Sequence, residues 1–181
     1  KDSFVIKGVK REKLALLLQS GISLFAYHLP LDLHLEWGNN WQAAREMGWK
    51  ELEPFYSFSG HFIGVKGVVE AVSPQKMQMD LETYYQHTAT VALGGKAKIQ
   101  RVGLISGGGY KAIGQAAEEG LDALVTGNFD EPAWYAALEE GIHFFALGHA
   151  ATERVGPRSL ALHLQEKYEI QSEFLDIPNP F

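Results

Sequence analysis

The sequence contains no cysteine, which removes disulfide frameworks, zinc ribbons and thiol nucleophiles and fits a reducing cytoplasm. No apolar run approaches the roughly 18 residues that a membrane-spanning helix needs. The opening residues Lys1-Asp2-Ser3-Phe4-Val5-Ile6 lack the charged-then-apolar order of a secretion signal. Positive charge is scarce too: 16 Lys and Arg stand against 22 Asp and Glu, for a net charge of -6. The basic residues are scattered, so the field that non-specific nucleic-acid binding draws on is missing, and a DNA or RNA partner is disfavoured. A soluble cytoplasmic protein without a membrane partner is therefore expected. An initiator Met is also lacking, and the first residues read like the interior of a domain, so an N-terminally incomplete fold is expected.

What is present is the patterning of an α/β protein. The 181 residues suffice for one sizeable core, and no low-complexity tract or long linker divides them, so residues 1–181 read as a single domain. Residues 11–19 carry leucines between polar positions and stop at Gly21, as a short amphipathic helix would. The apolar run 22–27 reads as a buried strand, and a loop containing Pro30 leads to a helix capped at Asn39 or Asn40 and ending at Gly48. Residues 55–72 suggest two strands with glycine turns, and Ser73-Pro74 opens a helix to about His87. From Ile99 onward strand and helix alternate: strand 99–105, a glycine turn, helix 110–119, strand 121–126, helix 131–140, strand 142–147, helix 150–167 and a last strand 169–176. That alternation predicts a mixed sheet with helices on both faces, its strand order and register not legible from the pattern.

Open α/β sheets place ligands at the carboxyl ends of strands, and three such ends carry polar residues. In Leu147-Gly148-His149-Ala150-Ala151-Thr152-Glu153, an imidazole and a carboxylate stand four residues apart where a strand ends. On a helix both would project from one face. In Tyr27-His28-Leu29-Pro30-Leu31-Asp32, a second His and carboxylate show the same spacing. Nitrogen with hard oxygen suits zinc, iron or manganese better than calcium. The bland alternatives are a His bonded to backbone, an Asp capping a turn, and a Glu serving the helix dipole. Two such loops in a chain with seven His make coincidence the weaker explanation. The third end, Ser106-Gly107-Gly108-Gly109, either presents amides to a phosphate or is a tight turn needing left-handed dihedrals. Asn128 could line the same crevice, Asp130 and Glu131 read as helix caps, and His143 as a satisfied core residue. No G-x-S-x-G elbow supports a serine nucleophile.

The segments AYHLPLDLH, GLISGGG, LVTGNFDE and ALGHAATERVG together resemble the NIF-three-like dinuclear-metal family, whose members carry the name GTP cyclohydrolase I type 2 homologue. The likeness runs over nearly the whole chain, and GHAATE is its most specific part. The resemblance implies a three-layer α/β sandwich, a toroidal homohexamer built of dimers, and a site for two divalent ions facing the interior cavity. It further implies Asp32, His149 and Glu153 as metal ligands, with Glu153 bridging, and His28 beside the metals as a proton shuttle. The family's consecutive His-His pair has no counterpart here; it would lie just before Lys1. The family's inserted extra domain is absent as well, the interval between Ala89 and Lys98 being too short.

Two functions follow. The first is metal-dependent hydrolysis of a nucleotide-like small molecule, with zinc, iron or manganese as cofactor, Asp32, His149 and Glu153 holding metal and His28 moving protons. The alternative is a ring-shaped metal-binding scaffold or regulator that turns nothing over.

Overall fold

The computed structural model describes residues 5–180. Its frame is a six-stranded mixed sheet in the order β1-β2-β4-β5-β6-β3. Strands β1 (Lys50–Phe58) and β2 (His61–Val72) form an antiparallel hairpin, with Phe55 opposite Gly64. Strand β2 also runs antiparallel to β4 (Ile99–Ile105), placing Val65 opposite Leu104. Strands β4, β5 (Ala123–Thr126) and β6 (His143–Ala146) are parallel neighbours. The short β3 (Thr90–Leu93) closes the far edge against β6 in the opposite direction.

Period-two alternation sorts the central strands into two cores. Val102, Leu104, Ala123, Val125 and Phe145 face one side, packing against Ala43 and Ala44 of α3 (Asn39–Glu46), Met77, Leu81 and Tyr85 of α4 (Pro74–Tyr85), and Val155 of α8 (Val155–Tyr168). Ile105, Leu124, Phe144 and Ala146 face the other, against Ile113 and Ala116 of α5 (Ile113–Glu118) and Ala133 and Ala137 of α6 (Glu131–Glu139). Because β5 and β6 are buried on both faces, Ala123-Leu124-Val125 and Phe144-Phe145-Ala146 run apolar without a polar alternation. Helix, sheet and helix thus make the three layers expected of the α/β class. Among the described residues no helix is long and apolar enough to cross a membrane.

Several expectations are corrected. Residues 22–27 are exposed and belong to no strand, because none of the sheet's strands lies alongside to pair with their backbone. The preceding helix α1 (Gly8–Gln19) forms, but none of its residues is buried. The tail 169–176 forms no strand. The long helix expected over 150–167 is two, a single turn α7 (His149–Glu153) and then α8, joined at Arg154. Asn39 and Asn40 do not cap α3: Gly38 holds the cap position, and both carboxamides reach elsewhere. Strand β3 had no distinct signal in its four residues. The Ser73 cap stands as expected, its hydroxyl accepting from the Lys76 amide, and so does the Asp130 cap of α6.

Candidate metal centre

Four chain segments meet at the carboxyl ends of β4, β5 and β6. The first is α2 (Leu29–Leu33), a single helical turn opened by Pro30. Its Asp32 is buried, and Oδ1 accepts from Asn39 Nδ2 at 2.7 Å and Ser106 Oγ at 3.2 Å. Asn39 is held in turn by the Gly156 amide, which donates to its Oδ1 at 2.6 Å. Its neighbour Asn40 accepts from the Ser106 amide and donates to Ile63 O, each at 2.6 Å. The start of α3 therefore laces α2, the end of β4 and the start of α8 into one unit. Capping propensity pointed to these asparagines, but for the wrong partners.

The second segment is the turn after β4. Gly107 has φ +65°, and a Cβ there would collide with Glu153 Oε1 and lie 3.1 Å from His149 Nε2. Its amide donates to Thr152 Oγ1 at 3.0 Å, and that of Gly109 to Thr126 Oγ1 at 2.8 Å. With these two amides bonded to threonines, the segment has the character of a tight turn. Glycine stands at position 107 because two site side chains approach its backbone.

The third segment follows β6. Gly148, at φ +88°, turns the chain into α7, and a Cβ there would meet His87 Nε2 at 2.8 Å. One turn of α7 then puts His149 Nε2 3.0 Å from Glu153 Oε1, as the spacing of four predicts. From the fourth, the loop after β5, Asn128 Oδ1 lies 2.8 Å from His149 Nδ1.

The two distant sequence pairs converge. His28 Nε2 is 4.0 Å from Asp32 Oδ2 and 3.8 Å from Glu153 Oε1, and one ligand atom from each of these three residues lies within 4.8 Å of the others. His149 joins the group through Glu153. Burial pushes the Glu153 carboxyl above its ordinary pKa; His149 opposes that rise, and the like charge of Asp32 adds to it. Two carboxylates drawn together and partly desolvated, with two imidazole nitrogens turned toward them, form a group that could hold a cation. The mixed nitrogen and oxygen donors fit a divalent transition metal.

Beside this group lies a cavity of about 440 Å³ whose lining includes Tyr56, Phe58, Tyr110 and Lys111 together with His28, Asp32, His149 and Glu153. A larger cavity of about 630 Å³ borders Glu153 from the other side, between His87, α7 and the chain after Phe174; Arg154 bonds Asp176 across it at 3.2 Å. The aromatic wall was not foreseen, because Tyr56 and Phe58 reach the site from the β1–β2 hairpin, and hairpin pairing says nothing of what stands beyond its tip. His143 is the satisfied core residue expected, buried with Nε2 2.7 Å from Lys96 O. His163 stacks on Trp37, ring centroids 3.7 Å apart, away from the cluster.

The family model for Duf34/NIF3 (NGG1p interacting factor 3) matches residues 1–180. A Chlamydia pneumoniae protein named GTP cyclohydrolase 1 type 2 homolog is 44% identical over 179 residues, covering 98% of this chain and 71% of the relative. Among solved structures, protein ybgI, described as of unknown function, superposes with a TM-score of 0.90 at 36% identity, over 99% of this chain and 72% of that one. A second solved structure, a Thermus thermophilus protein, gives a TM-score of 0.86 at 31% identity, over 99% and 71%.

Proposed function

From the premise that the chain belongs to the Duf34/NIF3 family, we propose that it is a metal-dependent hydrolase acting on a nucleotide-like small molecule, with two divalent ions held at the cluster described above. The observation that carries this reading is the convergence of His28, Asp32 and Glu153 at one wall of a 440 Å³ cavity. The name its relatives carry, GTP cyclohydrolase 1 type 2 homolog, suggests the substrate class. The cavity's composition supports it: Tyr56, Phe58 and Tyr110 offer faces for a planar base, and Lys111 offers a cation for an anionic group.

A divalent ion supplies Lewis acidity at such a site, lowering the pKa of water enough for hydrolysis near neutral pH. Asp32, His149 and Glu153 would hold zinc, iron or manganese. Glu153 lies near both imidazoles, its Oε1 3.8 Å from His28 Nε2 and 3.0 Å from His149 Nε2, and it would be the carboxylate shared by the two ions. Asp32 keeps Oδ2 toward the cluster, because Oδ1 is committed to Asn39 and Ser106. His28 has a side chain 74% exposed, so its Nε2 can exchange a proton with solvent while facing the reacting groups, the requirement for a shuttle. The experiment is a panel of nucleotides offered to protein loaded with zinc, iron or manganese, with release of formate or phosphate as the readout. Turnover that disappears in Asp32→Asn and Glu153→Gln supports the assignment, and no turnover across the panel removes it.

The scaffold reading has its own observation: Ile22, Leu24, Phe25 and Tyr27 form an exposed apolar run, a composition suited to burial against protein. Assembly into a homohexamer of dimers would use such surface. Light scattering on the purified protein reads the assembly directly. If Asp32→Asn and Glu153→Gln assemble and bind partners like wild type while no substrate turns over, the scaffold reading stands.

A further inference from the structure

We propose that Asn128 is a positioning residue for the metal centre: its carboxamide oxygen fixes the tautomer and ring plane of His149, leaving Nε2 as the ligand atom. This rests on the reading of His149 as a metal ligand, and it assigns a task to a residue that touches no substrate or ion.

A side-chain carboxamide oxygen only accepts hydrogen bonds. His149 Nδ1, 2.8 Å from Asn128 Oδ1, must therefore carry the proton of that bond, and neutral His149 then presents a lone pair at Nε2. That lone pair faces Glu153 Oε1 3.0 Å away. Two acceptors in that relation are reconciled by a proton or by a metal ion between them, and the separation can be spanned by two ligands each about 2.0–2.2 Å from one ion. The partner on the remaining ring nitrogen is what sets which nitrogen is free to bind metal.

Asn128 is well placed for this. It follows β5, whose Thr126 hydroxyl donates to Gly107 O at 3.0 Å. Its own amide donates to the same carbonyl at 2.8 Å. The loop is thereby fixed to the Gly107 turn, which itself lies against Glu153. The choice of an amide matters as well. It orients the imidazole without adding a third negative charge beside Asp32 and Glu153. The two ligands reached by asparagines are treated alike: Asn39 occupies Asp32 Oδ1 and leaves Oδ2, while Asn128 occupies His149 Nδ1 and leaves Nε2.

The test uses the full chain as wild type, Asn128→Ala and Asn128→Asp. Asn128 is exposed, so both variants should fold, and a thermal melt confirms it. In metal-free protein, long-range proton–nitrogen correlation spectra report the His149 tautomer. Zinc affinity is measured separately by calorimetry. Wild type and Asn128→Asp, which offers the same acceptor, are expected to hold the proton on Nδ1, and Asn128→Ala to lose that preference. Zinc binding should weaken about 10- to 100-fold in Asn128→Ala, the usual cost of losing such a partner, and recover in Asn128→Asp. An unchanged His149 spectrum in Asn128→Ala, or equal zinc affinity in wild type and Asn128→Ala, overturns the proposal. A wild-type protein that shows the Nδ1–H tautomer but binds no zinc, iron or manganese overturns the metal reading, and with it the purpose of the contact, while the contact's effect on the ring still stands measured.

Discussion

Gly107 and Glu153 approach so closely that the carboxylate occupies the space a side chain at position 107 would need. The glycine also sits at φ +65°, a region that costs an L-residue about 1–2 kcal/mol. The end of β4 and the one-turn helix α7 are therefore fitted to each other through this contact. Gly107→Ala should displace Glu153 from the cluster and weaken divalent-metal binding by about tenfold or more, with a destabilisation of about 1–3 kcal/mol. Calorimetric titration with zinc checks the first and urea unfolding the second; wild-type zinc affinity in the variant would show that Glu153 does not depend on this fit.

Glu153 itself should be a liability in the metal-free protein. Burial, reinforced by Asp32, raises its pKa above the ordinary 4.5. The folded state then binds more protons than the unfolded one between these two values, so stability falls as pH rises through that window. Glu153→Gln should accordingly stabilise chelator-treated protein at neutral pH, by about 0.5–2 kcal/mol, the scale seen when a functional compromise is relieved. The same substitution should abolish the stabilisation that added metal gives wild type. Urea unfolding with and without zinc distinguishes the two effects; a Glu153→Gln protein less stable than wild type in chelator contradicts the account.

Thr152 is fully buried and serves both loops, accepting from the Gly107 amide at 3.0 Å and donating to the Gly148 and His149 carbonyls, also at 3.0 Å. Thr152→Val keeps the shape but removes the acceptor of the Gly107 amide, while the Gly148 carbonyl keeps its bond from the residue 152 amide. A loss of about 1–3 kcal/mol is expected, accompanied by weaker metal binding as the Gly107 turn loosens. The readouts are urea unfolding and zinc titration, and a neutral substitution would mean that the hydroxyl's partners find replacements.

Away from the site, Glu46 ties α3 to α4 and α8 through Tyr84 and Arg158. Burial pushes its pKa up, but hydrogen bonds from Tyr84 and Gln42 and the charge of Arg158 outweigh it, so the net shift is downward from 4.5. A depressed carboxylate contributes stability that is complete above the ordinary value and is lost as pH falls through the folded one. Glu46→Gln should cost about 0.5–1.5 kcal/mol at neutral pH, allowing for solvent screening. The deficit should shrink toward zero in acid. A difference between the two proteins that is the same at neutral and acid pH would remove the ionised form from the explanation.

The sequence on its own determined the class of fold and marked two pairs of His and carboxylate as candidates. Alternating strand and helix periods survive in any context, since they follow from which face of each element must be buried. A His and a carboxylate four residues apart share a helix face wherever that helix forms. Hence the alternation of strand and helix from β4 to β6 and the pairs His28/Asp32 and His149/Glu153 could be read locally. Tertiary structure decided what these residues do with their surroundings. Residues 22–27 have the composition of a strand but no neighbour with which to pair, and sheet hydrogen bonding needs one. Asn39 and Asn40 have the chemistry of caps, yet their carboxamides bond to Asp32, Gly156, Ile63 and Ser106, partners up to 117 positions away. The three-glycine turn had two readings, and the tight turn is favoured only by what packing brings to it: Thr152 and Thr126 at its amides and Glu153 against Gly107. Side-chain type and short spacing fix what a residue can donate or hold; the partner it meets depends on which distant backbone the packed sheet brings within hydrogen-bonding reach.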